Sequence, residues 1–429
     1  MKVKIRTLGC KVNQYESEVM MSLLLSSGFF KAESEEPADV IIVNSCTVTA
    51  ASDKKVRQTL RHEKKQNPDA VAVLTGCMPQ AFPEIADRFL DADIVIGTKN
   101  RSALPSHILQ YLSTKQRIID IAPHEKGDKF ESMQITSFGE RTRAFLKIQD
   151  GCNRFCSYCI IPYARGRVRS KPLDDIQKEV HALAENGYRE IVLTGINLPA
   201  YGEDLDLHLC DAVDAVCAEE SIKRVRLGSL EPERLTPHVI ARLAKQEKLC
   251  PSFHLSLQSG CDETLKRMNR HYTTNEYRKI VADLREAFPN CAITTDIMVG
   301  FPGETDEEFE ASLAFAKEIE FARTHVFAYS RRPGTKAYDA PNQLTNSVKN
   351  ERSHRMIAVI TQTQRDFHEL QVGRTEEVIF EQLCGENLYE GYTMNYTPVH
   401  AYSEIDITKQ ILPVKITRAE NDYCVGNLT

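Results

Sequence analysis

No stretch of this chain stays apolar for the roughly 20 residues that a helix needs to cross a bilayer. The opening "VKIRTLGC" also lacks the apolar core of a secretory leader and reads instead as a first strand. A membrane partner is therefore not expected, and the expected location is the cytoplasm. A basic surplus is missing too. The formal net charge is -6 over 429 residues, which argues against a protein that coats nucleic acid over its whole surface. What the chain does have is cysteine, 13 in all. In a reducing compartment these are poor candidates for a disulfide framework and better ones for metal ligation or catalysis. An apolar content of 42% with 27% charged residues fits a folded globular protein, and the length implies two or three cores rather than one.

Hydrophobic periodicity divides the chain into segments. Over residues 1–115, "KIRTLGC", "DVIIVNSC" and "AVAVLTGC" read as buried strands, alternating with the helical patterns "YESEVMMSLLLSSGF" and "SDKKVRQTLRHEKK". This alternation predicts an α/β doubly wound parallel sheet. Residues 116–138 read as a linker carrying one short strand. Over 139–370, the runs "RAFLKIQDG", "REIVLTG", "KRVRLGS", "SFHLSLQ", "CAITTDIMVG" and "ARTHVFAYS" recur with helices between them, a partial (β/α)6 barrel. A long amphipathic helix then ends near Gly373, and 371–429 reads as a small all-β module.

Each of the three N-terminal strands ends on a cysteine: Cys10, Cys46 and Cys77. Ligands of parallel sheets sit at the carboxyl ends of strands, so these thiols are expected on one edge. A second set, Cys152, Cys156 and Cys159 in "CNRFCSYC", follows the first barrel strand. Structural zinc takes four ligands, and no fourth Cys or His lies nearby, which disfavours a closed zinc site. Three thiolates on a four-iron cluster leave one iron open. Cys210 and Cys217 lie on one apolar helix face and are read as core. Cys250, Cys261, Cys291, Cys384 and Cys424 are read the same way.

A C-x3-C-x2-C loop with Tyr158 before its last cysteine, at a barrel mouth, resembles the radical S-adenosylmethionine (SAM) superfamily. That resemblance implies a 4Fe-4S cluster on Cys152, Cys156 and Cys159. It also implies SAM contacts by Tyr158, Thr194, Gly195, Asn197, Ser229, Glu231, Gln258 and Asp296. With "TLGCKVNQYESE", "VNSCTVT", "LTGCMPQ", "CIIPYARGRVRSKP" and "DIMVGFPGET", the whole chain resembles the methylthiotransferases, nearest the branch that modifies N6-threonylcarbamoyladenosine in tRNA.

Membership of that family implies a second, auxiliary 4Fe-4S cluster on Cys10, Cys46 and Cys77, and a TRAM domain at the C-terminus. SAM would act as radical source and as methyl donor, and the product would be a methylthio group on carbon 2 of the adenine beside the anticodon. The same chemistry on isopentenyladenosine in tRNA or on a ribosomal protein aspartate is the alternative. No side chain is assigned as general base. The implied partners are a tRNA anticodon stem-loop and a reduced flavodoxin- or ferredoxin-type electron donor. Arg165, Arg167 and Arg169, at alternate positions in a basic run from Arg141 to Lys171, are expected to face tRNA phosphates. Tyr389, Tyr392, Tyr396 and Tyr402 are candidates for stacking on loop bases.

Overall fold

Short apolar runs bounded by turn residues build the N-terminal sheet. Its strands are β1 (Lys2–Thr7), β2 (Phe30–Lys31), β3 (Val40–Ser45), β4 (Val71–Gly76), β5 (Ile94–Ile96) and β6 (Ile118–Asp120). All neighbours run parallel in the order β2-β1-β3-β4-β5-β6. The computed structural model describes every residue except 34, 35, 134, 136–138 and 140. The stretch foreseen as a linker supplies β6 to this sheet, and its positions 134 and 136–138 lie outside the described residues.

Every residue of β3 and β4 is buried, as expected for central parallel strands covered on both faces. Four helices serve this sheet: α1 (Lys11–Ser26), α2 (Ala50–Gln66), the short α3 (Cys77–Ala81) and α4 (Leu104–Thr114). Alternation along the strands sends Val40, Ile42 and Val73 toward Met20 and Leu24 of α1 and Ile108 of α4. Val43, Ala72 and Leu74 face Val56 and Leu60 of α2 on the other side. The sheet is therefore doubly wound.

The second unit contains β7 (Arg143–Lys147), β8 (Gln149–Asp150), β9 (Arg169–Ser170), β10 (Glu190–Thr194), β11 (Arg224–Leu227), β12 (Ser229–Leu230), β13 (Ser252–Leu255), β14 (Ala292–Val299) and β15 (Arg323–Ala328). Its helices are α5 (Ile161–Arg165), α6 (Leu173–Glu185), α7 (Leu209–Cys217), α8 (Pro237–Leu243), α9 (Asp262–Arg267), α10 (Thr274–Ala287), α11 (Asp306–Ile319) and α12 (Asn346–Glu369). All six foreseen staves form, the third divided at Gly228 into β11 and β12. Two parallel sheets, β7-β10-β11 and β12-β13-β14-β15, make an arc whose ends β7 and β15 are unpaired with each other among the described residues. Helix α1 of the first unit lies along β7, and its Tyr15 and Val19 enter the barrel core.

The C-terminal strands β16 (Thr375–Gly385), β17 (Leu388–Thr393), β18 (Pro398–Tyr402), β19 (Ile411–Ala419) and β20 (Cys424–Leu428) form a closed barrel around Phe380, Val399 and Val414. It sits against the starting ends of the arc strands, where Arg224 donates to the carbonyls of Tyr392 (3.0 Å) and Glu377 (2.7 Å). Among the described residues, no helix is long and apolar enough to cross a membrane.

Cys210, Cys217, Cys250, Cys291 and Cys424 are buried as expected. Two cysteines differ. Cys384 is exposed at the irregularity between Leu383 and Gly385, on the part of β16 beyond its pairing with β19, and Cys261 is only half-buried at the start of α9.

A buried ion pair ties α1 to the barrel. Lys171 pairs with Glu179 with neither side chain exposed, and the Tyr15 hydroxyl donates to Glu179 at 2.9 Å. Glu179→Ala strands the Lys171 ammonium without its counter-charge and is expected to cost ~3–5 kcal/mol. Glu179→Gln, which keeps an acceptor, should cost less, and urea denaturation midpoints check the ranking.

Candidate functional site

Strands β1, β3 and β4 are immediate neighbours, and their register brings Thr7 level with Asn44 and Ser45 level with Gly76. Cys46 and Cys77 directly follow β3 and β4, and Cys10 follows β1 after Leu8 and Gly9. The three thiols thus gather at one carboxyl edge. Two buried amides brace them. Asn13 accepts from Cys10 Sγ at 3.3 Å and donates to Asn44 Oδ1 (3.1 Å) and the Ser45 carbonyl (3.0 Å). Gly76 turns the chain into Cys77 with φ 102° and ψ -155°, a region open essentially to glycine. A Cβ there would lie 2.5 Å from the Ser45 carbonyl oxygen. Burial pushes the Cys77 thiol up to about 12, against the pull of Arg165.

The second triad occupies the loop after β8. Its entry is the turn at Gly151, φ 74°, where a Cβ would fall 1.8 Å from the Arg167 carbonyl oxygen. Four donors reach its sulfurs or hold its shape. Cys152 Sγ accepts from the Arg154 N–H (3.4 Å) and from Asn197 Nδ2 (3.8 Å); Cys156 Sγ accepts from Arg270 Nη1 (3.4 Å); and the Cys159 N–H bonds the Cys156 carbonyl (3.0 Å). Burial raises the Cys152 thiol to about 11, and burial with the neighbouring Cys156 raises Cys159 further. Tyr158 packs edge-on against Phe301 with ring centroids 6.3 Å apart.

The residues expected to contact SAM fall mostly around this loop. Thr194 ends β10, and Gly195 and Asn197 follow it. Asn197 takes its N–H to Gln149 Oε1 (2.7 Å) and leaves its buried Oδ1 without a partner. Ser229 is exposed at the start of β12, and Glu231 is clasped by both terminal nitrogens of Arg270. Gln258 has φ 70° and bridges to β14 through its N–H on the Asp296 carbonyl (2.9 Å). Asp296 departs from the set. It lies in the middle of β14 rather than at a strand end, facing His254 (3.3 Å) inside the arc.

The basic run needs correction. Arg165 is fully buried and meets no surface, and Arg169 is 6% exposed, turned toward Asp150 at the edge of two cavities. Arg165 Nε donates to Cys77 Sγ (3.2 Å), and its terminal nitrogens clasp both oxygens of Glu16, one at 2.9 Å. Glu16 also takes Lys147 (2.7 Å) and Arg101 (3.1 Å). Asp150 takes Lys147 (2.6 Å), Arg169 (3.5 Å) and Arg165 (3.6 Å). Burial works against ionising Glu16, but Arg101, Arg165 and Lys147 overcome it and hold its carboxyl at about 2. That stabilisation is in place above the ordinary carboxylate range and disappears only as pH falls through about 2, so the network is charged at neutral pH. Arg167 alone of the three is exposed, over the ring of Phe155.

The tyrosines also divide. Tyr389 is core, Tyr402 is exposed, and Tyr392 and Tyr396 stack on each other (4.8 Å) with Arg143 beside both rings. Sequence reasoning missed Glu16, Asp150, Asn13, Asn44 and Arg270, although Glu16, Asn13 and Asn44 stand within the quoted cysteine motifs and Asp150 closes the first barrel strand run.

Both triads suit a thiolate-bound cluster. Each offers three soft donors, and each has an arginine side chain donating to one of its sulfurs. Among the described residues, no group of three or more His, Cys, Asp or Glu is arranged to hold a single ion. Ligands of a four-iron cluster bind separate irons and stand farther apart than ligands on one ion. Gly76→Ala is expected to displace Cys77 at a cost of ~1–3 kcal/mol from backbone strain alone. Anaerobic reconstitution should then show less iron bound than in the parent protein, with the second triad's share retained.

Residues 146–316 match the Radical SAM superfamily, and residues 2–97 match a family described as Uncharacterized protein family UPF0004. The chain is 40% identical over 430 residues to the threonylcarbamoyladenosine tRNA methylthiotransferase MtaB of Bacillus subtilis strain 168, covering 99% of this chain and 95% of that one. It is 36% identical to a tRNA-2-methylthio-N(6)-dimethylallyladenosine synthase of Clostridium botulinum strain Loch Maree, covering 98% and 96%. Among solved structures, the fold resembles the radical SAM methyltransferase TsrM of Kitasatospora setae, with TM-score 0.58, 14% identity and coverage of 90% and 79%. It also resembles the cobalamin-dependent radical SAM enzyme OxsB, with TM-score 0.52, 11% identity and coverage of 84% and 56%. Identity of this extent along nearly the whole chain, over a barrel whose mouth carries the C-x3-C-x2-C loop, establishes that the chain belongs to the methylthiotransferase family of radical SAM enzymes.

Proposed function

We propose that this enzyme methylthiolates carbon 2 of N6-threonylcarbamoyladenosine next to the anticodon of tRNA, using two 4Fe-4S clusters and SAM. The observation that carries the substrate is the interior of the arc. His254, Asp296 and His325 lie on the adjacent strands β13, β14 and β15, with Asp296 in register with His325 and its carboxylate 3.3 Å from His254. The two imidazoles are 6.5 Å apart, and His254 Nδ1 pairs with Thr294 Oγ1 at 3.1 Å. A threonylcarbamoyl group brings a carboxylate and a hydroxyl, which need such polar partners. A dimethylallyl group would strand these groups against hydrocarbon. The second reading, isopentenyladenosine as substrate, rests on relatives such as the Clostridium botulinum synthase, whose 36% identity lies between the 40% of the Bacillus subtilis MtaB and the 35% of the Aquifex aeolicus MtaB.

Cys152, Cys156 and Cys159 would hold the radical SAM cluster, and Cys10, Cys46 and Cys77 the auxiliary one. When bound, these groups and SAM supply the one-electron chemistry that breaks an unactivated C–H bond, together with the sulfur and methyl group. The chain's own part is placement. Asn197, Glu231, Gln258, Ser229, Thr194, Gly195 and Tyr158 surround the mouth where SAM would lie. Asp296 is reassigned to the base-binding interior. Arg167, the exposed one of the three alternating arginines, would meet a tRNA phosphate. No proton-transfer or surface role is needed from the buried charges, Arg165 and Arg169 included; radical abstraction depends on near contact, which rigid neighbours secure. A reduced flavodoxin- or ferredoxin-type protein in the cytoplasm would deliver the electron.

Anaerobically reconstituted enzyme is expected to bind about eight irons per chain and to form the methylthio product on a threonylcarbamoylated stem-loop. Faster turnover of an isopentenylated stem-loop would overturn the substrate; about four irons would overturn the second cluster. His325→Leu is expected to raise KM for the threonylcarbamoylated stem-loop ~10-fold, equivalent to about 1.4 kcal/mol, as read from initial rates by nucleoside mass spectrometry.

A further inference from the structure

The network around Glu16 holds more positive than negative charge. Its fully buried carboxylates, Glu16 and Asp150, face Arg101, Lys147, Arg165 and Arg169, and the additional carboxylate of Glu131 stands at the rim, 30% exposed and 3.6 Å from Arg101. Bringing surplus cations out of water without counter-charge is costly. The group that faces the surplus is Cys77, whose Sγ accepts the Nε–H of Arg165 at 3.2 Å. This arginine belongs to α5, six residues after Cys159, so one short segment carries a ligand of one triad and a hydrogen-bond donor to the other. A neighbouring guanidinium held rigidly by a carboxylate occurs again at the second triad, where Arg270 is clasped by Glu231 and donates to Cys156 Sγ at 3.4 Å.

We propose that Arg165, supplied by the barrel unit and fixed by Glu16 of the N-terminal unit, is a positioning residue that sets the reduction potential of the cluster on Cys10, Cys46 and Cys77 through its hydrogen bond to the Cys77 sulfur. The inference rests on the assignment of a cluster to that triad. A donor and a positive charge at a ligand sulfur withdraw electron density and raise the potential. Because donor and ligand come from different units, the tuning exists only while the two are docked. Glu16 fixes the guanidinium orientation by a two-point clasp, which a lysine ammonium cannot reproduce.

The test uses full-length protein carrying Cys152→Ala, Cys156→Ala and Cys159→Ala, so that only the N-terminal site loads, reconstituted with iron and sulfide without air. Iron content, circular dichroism and the midpoint potential from a dye-mediated redox titration are read for this parent and for Arg165→Lys and Arg165→Gln added to it. If the parent binds no iron, the cluster assignment itself fails, independently of Arg165. If the parent loads, the expected result is a potential shifted negative in both variants, more in Arg165→Gln, which lacks the charge as well as the Nε–H. Loss of iron from both variants with the dichroism spectrum unchanged would also overturn it, because Arg165 would then serve to retain the cluster rather than to set its potential. Parent-like potentials in both variants would overturn the proposal, as would global unfolding of both, which would make Arg165 a core ion-pair residue only.

Discussion

The buried carboxylate of Glu16 is the constraint on which the arrangement of the molecule depends. It lies on the first helix of the N-terminal unit and is met by Arg165 and Lys147 of the barrel and by Arg101 of its own unit. None of these groups can be withdrawn singly, because a lone charge left in that interior costs several kcal/mol. The contact therefore has few tolerable alternatives to its docked geometry. Two further junctions reinforce it. Arg332, after β15, reaches Asp53 (2.8 Å) and Thr47 Oγ1 (2.7 Å), the residue following Cys46. Tyr15 reaches Glu179 from the same helix as Glu16.

These junctions fall beside the cysteines, and this placement has consequences for chemistry. Arg165 touches Cys77, Arg332 touches the segment of Cys46, and α1 starts directly after Cys10. All three cysteine positions of the first triad are thus referenced to the barrel. The second triad is referenced to the same barrel through Gly151, Asn197 and Arg270. A reaction that passes a group between two sites tolerates little relative motion between them. Polar pairs with fixed directions restrict such motion better than an apolar seam, which can slide.

The parts of this architecture set by local pattern were legible in the sequence. Strands ending on Cys10, Cys46 and Cys77 became neighbours because parallel βαβ units leave few other orders, and each of the six foreseen staves formed. What depended on partners remote in sequence was not legible. Arg165 and Arg169 alternate with Arg167 just as a phosphate-facing strand would, and nothing local reveals that Glu16, 149 positions away, draws Arg165 inward. Asp296 sits in a motif resembling other SAM-contacting strand ends, yet β14 runs on for three residues beyond it and its carboxylate meets His254 of the neighbouring strand. Cys384 looked like any core cysteine, but it falls at an irregularity on the part of β16 that has left β19, where it is exposed.

An apolar interface of the same area would hold the two units together at lower cost, since buried ion networks are often no more stabilising than well-packed hydrocarbon. The presence of four cations against two buried carboxylates therefore asks for a reason other than stability. Thiolates supply one. Burial keeps the Cys77 thiol at about 12, so its proton leaves at neutral pH only if something compensates the resulting charge. A bound cluster would do part of this, and the Arg165 guanidinium already in place would do another part without any later rearrangement. Read in this way, the stability forgone at the junction pre-pays the electrostatics of the site, and the interface and the thiolate site form one structure.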